Sequence, residues 1–231
     1  MIRTNKQGQS LGPKGVLTRT SLLDAARMVL SDPDVKTPTP SAIARAAGLS
    51  AQTFYLYFTD FDELLLVLAE EANRDMADLI YVLSLHWPRD ALFNHCREFV
   101  DLYYDFWARN RPAMIQRNFK AESGDERFIE ACELSARPIV RAIARKMLES
   151  RPRLARTETE ALSTAIMFFA GLERLAARPP ELHHKPSAFI SEDFKKAQAS
   201  MLSLLIMPEL LQSQLNEAEE TGWAENVGAT D

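Results

Sequence analysis

Four groups of residues in this sequence have types and spacings that could do chemistry. His183-His184 and His95-Cys96 could ligate a metal, Glu217, Glu219 and Glu220 could move protons, and residues 49–65, LSAQTFYLYFTDFDELL, could meet a polyanion. Neighbouring residues on a helix point in different directions, so His95-Cys96 lacks the i, i+4 spacing that brings two ligands to one metal. His183-His184 sits in a Pro-rich loop with the same defect. The three glutamates fall in a polar tail beyond about Leu215. No Gly-rich phosphate loop and no nucleophile elbow occurs. The expectation is a protein without catalytic residues, metal or cofactor, and not an enzyme.

The fourth group differs. Phe54, Tyr55, Tyr57 and Phe58 place four rings in five positions, although aromatics make up 9% of the chain. Two tasks explain the concentration. Phe54 and Phe58, with Leu49 and Ile43, can anchor a short helix to a small core. Gln52, Thr53, Tyr55 and Tyr57 would then face outward, where a tyrosine ring packs on the sugar–phosphate wall and its hydroxyl reaches a phosphate oxygen. A fully buried set of rings is the alternative reading.

Charge supports the first picture. The net charge is −5, yet residues 1–58 hold seven Lys/Arg against three acids, while the remainder holds 20 against 29. A basic module on an acidic body is what a protein needs when only one end meets a polyanion. Its 231 residues suffice for a small domain joined to a larger one. No apolar run approaches a membrane span, and the first residues lack a signal peptide's apolar core, so a cytoplasmic location is expected. Cys96 and Cys132 lie within apolar patterns and read as buried thiols rather than a disulfide.

The elements that position these residues read as helices throughout, with no strand or hairpin signal. A flexible basic arm is expected over 1–17, then a first helix from about Thr18 to Ser31. Thr39 caps a second helix with Pro40 at its first position. Gly48 supplies the left-handed turn that ends it. Ser50 caps a third helix running to about Phe58. Asp60, with Glu63 three residues on, opens a long fourth helix expected to reach about residue 84. Two short helices around a glycine turn form a helix-turn-helix.

Over Arg19 to about Leu66 the chain resembles the tetracycline-repressor (TetR) family of bacterial transcription regulators. The resemblance rests on LLDAARMVL, TPSAIARAAGLS, AQTFYLYF and TDFDELL in order and spacing. It implies an all-α fold: a helix-turn-helix DNA-binding domain over 18–66 and a helical effector-binding and dimerisation domain over 67–215. A polar tail, 216–231, follows. It also implies that Thr39, Ser41, Tyr55 and Tyr57 face phosphates while Ala51, Gln52 and Thr53 face base edges. Ser50, Arg19 and Lys14 complete the expected DNA-binding set. Two positions depart from the family. Phe61 stands where a lysine is usual, which removes a phosphate contact, and Tyr57 stands where histidine is common. The arm, with Lys6, Lys14 and Arg19, could restore some of that charge at the backbone or minor groove.

The acidic body reads as about five more helices. Residues 91–109 put Leu92, Cys96, Phe99, Tyr103, Phe106 and Trp107 on one side, and Arg111-Pro112 is expected to break that helix. Residues 125–150 form one helix, or two joined at Pro138. Thr157 and Glu160 make a capping box for the next, ending before Pro179-Pro180. The last helix opens at Ser191-Glu192-Asp193 and ends before Pro208. The 158–178 helix is apolar on two sides, through Leu162, Ile166, Phe169 and Leu172. The final helix is similarly broad, through Phe194, Met201, Leu204 and Leu205. Either both are central to their own bundle, or they pair with a second copy in a four-helix interface, as the resemblance implies.

Phe99, Tyr103, Trp107, Met114, Phe128 and Phe168 offer more large apolar surface than a thin helical layer needs. They are candidates to line an effector site for an apolar or aromatic, neutral or weakly charged small molecule, the alternative being a solid core. The functional expectation is a dimeric regulator on a palindromic operator, a repressor released by that effector. The competing expectation is a protein of the same fold controlled by a partner, with no ligand.

Overall fold

The computed structural model describes residues 11–35, 37–150, 157–178 and 191–209. Among them the fold is all-α, with no strand. In chain order the helices are α1 (Pro13–Ser31), α2 (Pro40–Ala46), α3 (Ala51–Tyr57), α4 (Phe61–Arg74) and α5 (Ala77–Ser84). A 3-10 turn (Arg89–Ala91) leads into α6 (Leu92–Glu122), α7 (Glu126–Glu149), α8 (Glu158–Ala176) and α9 (Ser191–Ile206). Lys6 of the arm, His183-His184 and the glutamate tail lie outside the described residues.

The described residues divide into two compact units. The first holds the chain up to Met76 together with Trp107–Ser135. The second holds Ala77–Phe106 and the residues from Ala136 onward. Each has its own core. In the first, Leu22 and Ala26 of α1, Ile43 of α2, Phe54 and Phe58, and Leu64, Leu65 and Leu68 of α4 are buried together. Ala113 of α6 and Phe128 of α7 belong to the same cluster. Burying each Leu or Phe is worth roughly 1.5–3 kcal/mol, so α2 and α3, at seven residues each, are held by packing rather than by helix propensity.

The second core collects Leu79, Val82 and Leu83 of α5, Cys96, Phe99 and Tyr103 of α6, and Ile139, Ile143 and Met147 of α7. Phe168 and Leu172 of α8 and Leu202 of α9 complete it. Lys195 of α9 pairs with Asp101 of α6 at 2.9 Å, and the Tyr104 hydroxyl donates to Gln198 Oε1 at 3.0 Å.

Three boundaries differ from the sequence reading. α1 starts at Pro13, not near Thr18, because proline fits a helix's first positions, where its missing N–H costs nothing. Lys14 is therefore helical rather than part of an arm. α4 stops at Arg74, and a turn closed by the Asp75 N–H on Ala72 and Asn73 carbonyls separates it from α5. The buried stripe of α4 ends at Ala72, and α5 buries its residues in the other unit. α6 runs through Pro112 without a break, whereas α7 is one helix through Pro138, the first of the two forms its sequence allows. Proline inside a helix costs about 3 kcal/mol. Buried residues on both flanks of Pro112, Phe106 and Trp107 before it and Ala113 and Met114 after it, offset that cost.

Candidate nucleic-acid interface

Backbone geometry fixes the reading helix before any side chain contributes. Thr39 Oγ1 accepts from the Ala42 N–H at 3.2 Å and caps α2. Gly48 adopts φ +70°, a conformation costly for other residues, and the Leu49 N–H closes the turn on the Ala44 carbonyl at 2.8 Å. Ser50 Oγ accepts from the Thr53 N–H at 3.1 Å and caps α3. Asp60 Oδ1 accepts from the Glu63 N–H at 2.8 Å and starts α4.

With those caps in place the rings of α3 separate by role. Phe54 and Phe58 are fully buried, their centroids 5.6 Å apart. Tyr55 is 47% exposed and sets its ring edge-on to Phe54. Tyr57 is half-buried and packs against the first unit's core. A Cβ added at Gly15 would lie 3.6 Å from its hydroxyl, so that hydroxyl stands beside the first turns of α1. The Arg19 guanidinium lies 5.1 Å from the centre of the Phe58 ring, half-buried, which holds its charge next to α3.

The sequence-predicted DNA-binding residues thus differ in how free they are. Lys14, Ser41, Ala51 and Gln52 are exposed, and Gln52 has no side-chain hydrogen bond to a described residue. The oxygens of Thr39 and Ser50 serve as caps, and the Thr53 hydroxyl pairs with that of Ser50 at 2.9 Å. Arg45, exposed in the last turn of α2, is a cation the motif reading left unassigned. Its only signal was the local charge balance. Phe61 is half-buried against the first unit's core. The position where the resembling family carries a lysine is therefore filled here by packing.

The candidate effector residues do not fall in one unit. Phe99, Tyr103 and Phe168 are buried in the second, where Tyr103 meets Phe99, Phe106 and, edge-on at 5.5 Å, Phe169. Trp107, Met114 and Phe128 belong to the first. Phe128 packs in the core shared with Phe54 and Phe58, so its place is beneath the DNA-binding helices. The Trp107 Nε1–H is buried with no acceptor among the described residues.

The residues proposed for pairing two copies also separate. Phe169 and Leu172 are buried within the second unit. The outward side of α8 carries Ile166, 55% exposed, and Met167, 77% exposed. On α9, Met201 is 55% exposed and Phe194, Leu204 and Leu205 are half-buried. Leu162 is half-buried. Met167 stands one position beyond the stripe of Leu162, Ile166 and Phe169.

Among the described residues no three His, Cys, Asp or Glu side chains are placed to hold a metal, and no helix is long and apolar enough to cross a membrane. Residues 22–68 match the family model "Bacterial regulatory proteins, tetR family". No curated protein matches the chain. Its fold is similar to that of the fatty acid degradation regulator FadR from Bacillus halodurans, at 15% identity and a TM-score of 0.58, covering 86% of this chain and 97% of that one. A second similar structure is the TetR family repressor AlkX from Dietzia sp. strain DQ12-45-1b, at 18% identity and a TM-score of 0.45, covering 82% and 95%. The matched segment is the one built around α2, Gly48 and α3. Residues 22–68 are thus similar to the bacterial regulatory proteins of the tetR family, DNA-binding regulators of transcription.

Proposed function

We propose that the protein is a cytoplasmic repressor that binds a palindromic operator as a homodimer and is released by a small apolar or aromatic effector. The observation that carries the reading is the division of labour on α3. Phe54 and Phe58 lock the helix down, while Gln52 and Tyr55 stand exposed on it. Gln52 reads a base edge; Ala51 and Thr53 fit closely beside it. Tyr55, Ser41 and Lys14 meet the backbone, with Thr39, Ser50, Arg19 and Tyr57 holding the frame that aims them.

Ile166, Met167 and Met201 are large apolar side chains left in water by the single chain. Exposed apolar side chains on neighbouring helices are what a second copy would cover, in the four-helix arrangement of α8 and α9 with theirs. A two-fold dimer presents two copies of α3 to a two-fold operator. The aromatic group Phe99, Tyr103 and Phe168 supports an effector that is mainly apolar. Such an effector would act by preferring the conformation with the wrong separation of reading heads.

The test is selection of bound sequences from random DNA with the full chain, followed by a release screen on the selected site. A palindromic site released by an apolar compound supports the reading. A palindromic site that no small molecule releases favours a partner-controlled regulator. Uniform binding to all sequences contradicts both.

A further inference from the structure

A cavity of about 250 Å³ lies within the second unit, where the segment after α5 meets the C-terminal turns of α7 and α9. It is lined by none of the aromatic residues considered above as effector contacts. One wall carries Lys146, which is 7% exposed although it is a lysine. Its Nζ donates to the Leu85 carbonyl at 2.7 Å and sits 4.1 Å from the centre of the Trp87 ring. Trp87 is itself fixed, since its Nε1–H donates to the Val82 carbonyl at 3.0 Å and its ring stacks on His95. The opposite character comes from Ile206 and Met207, which give the cavity an apolar side.

An ammonium carries three donors, and one carbonyl uses only one of them. Among the described residues no carboxylate lies within ion-pair distance of Lys146. Burial disfavours its charged form and lowers its pKa, with Glu149 and Cys96 pulling the other way and Arg145 adding to the lowering. Cys96 supplies no counter-ion at neutral pH, because burial pushes its thiol up to about 12. Glu149 is exposed, at the cavity's edge. A buried cation with spare donors, an aromatic neighbour and an apolar wall is a half-built site for an anion with a hydrocarbon part.

We propose that this cavity binds a compact monocarboxylate, its carboxylate on Lys146 Nζ and the His86 ring and its hydrocarbon part against Trp87, Ile206 and Met207. The cavity's volume is just below the roughly 300–1,000 Å³ of pockets that hold drug-sized ligands, which suits a short hydrocarbon chain. The Glu149 carboxylate repels a second negative charge, which disfavours phosphates and dicarboxylates. This site is separate from the effector site proposed above, and binding rather than operator release is its readout.

The experiment is calorimetric titration of the full chain with sodium hexanoate, 1-hexanol and hexylamine at fixed pH and ionic strength. Hexanoate is expected to saturate one site per chain and to bind more tightly than the other two. Lys146→Met should weaken it by about tenfold or more, the worth of a charge-assisted hydrogen bond. Glu149→Gln, at an exposed position, should leave the fold intact and tighten hexanoate by about twofold to fivefold. If Lys146→Met fails to fold, Glu149→Gln decides. No hexanoate binding, equal or tighter binding of 1-hexanol or hexylamine, or hexanoate affinity that Glu149→Gln leaves unchanged or weakens, would overturn the proposal.

Discussion

Asp62, in the first turn of α4, receives Lys120 Nζ at 2.9 Å from the last turn of α6. Arg127, at the start of α7, reaches the same carboxylate at 3.5 Å. The three residues tie the start of α4, two residues past its Asp60 cap, to the α6–α7 turn that also delivers Phe128 to the core. Both Asp62 and Lys120 are partly shielded from water, so the pair should exceed a freely exposed one. Asp62→Asn should cost about 1 kcal/mol of stability, read as a lowered denaturant midpoint at unchanged slope. Asp62→Asn with an unaltered midpoint would show that the pair contributes nothing.

Phe61 packs on the first unit's core, so Phe61→Lys should destabilise that unit by roughly 1–2 kcal/mol. Because the side chain is directed to the core, the salt dependence of DNA binding should stay as it is. A log–log slope steeper by about one would instead place the new ammonium on a phosphate.

The two sides of α8 predict opposite phenotypes. Ile166→Glu puts a charge on the outward side and should give a folded monomer by sedimentation. Phe169→Ala removes a buried ring packed against Tyr103 and should cost roughly 3–5 kcal/mol of stability. A dimer that tolerates Ile166→Glu would move the interface away from this face.

Much of the first unit was legible in the sequence because its signals are local. Thr39, Ser50 and Asp60 each cap the helix they were read to cap, and Gly48 has the positive φ its turn requires. Thr157 and Glu160 form both hydrogen bonds of a capping box. What was misread depended on partners far away in the chain. Pro112 looks like a breaker until the burial of Trp107 and Met114 on either side is known. Phe128 reads as one more aromatic of the body, yet it packs with residues from Leu22 to Leu68, 60 to 106 positions earlier (128 − 68 and 128 − 22). Periodicity marks α8 as two-sided without saying which side faces its own core; burial puts Phe169 and Leu172 on one side and Ile166 on the other. The Lys146 cavity left no sequence signal, because its members come from three separate segments.

Asp101 gives a pH signature. Burial raises its pKa, but hydrogen bonds from Arg97 and Lys195, and their charges, outweigh that and hold it below the ordinary 3.8. A carboxylate depressed in the folded state adds stability that is present above its unfolded pKa and lost as pH falls through the folded value. Asp101→Asn should therefore lower stability at pH 7 and make the acid limb shallower in unfolding series from pH 7 to pH 2. Parallel curves for the two proteins would remove Asp101 from the acid response.

If α3 reads base edges, Gln52 is the side chain that does so. Its amide can donate to and accept from adenine in the major groove, and no described residue holds it back. Binding of Gln52→Ala to the selected operator and to random DNA of equal length, at one salt concentration, is the decisive pair of measurements. A base-edge contact at Gln52 makes the expected loss about 1–3 kcal/mol on the operator and almost none on random DNA. An equal loss on both, or no loss on either, would contradict it.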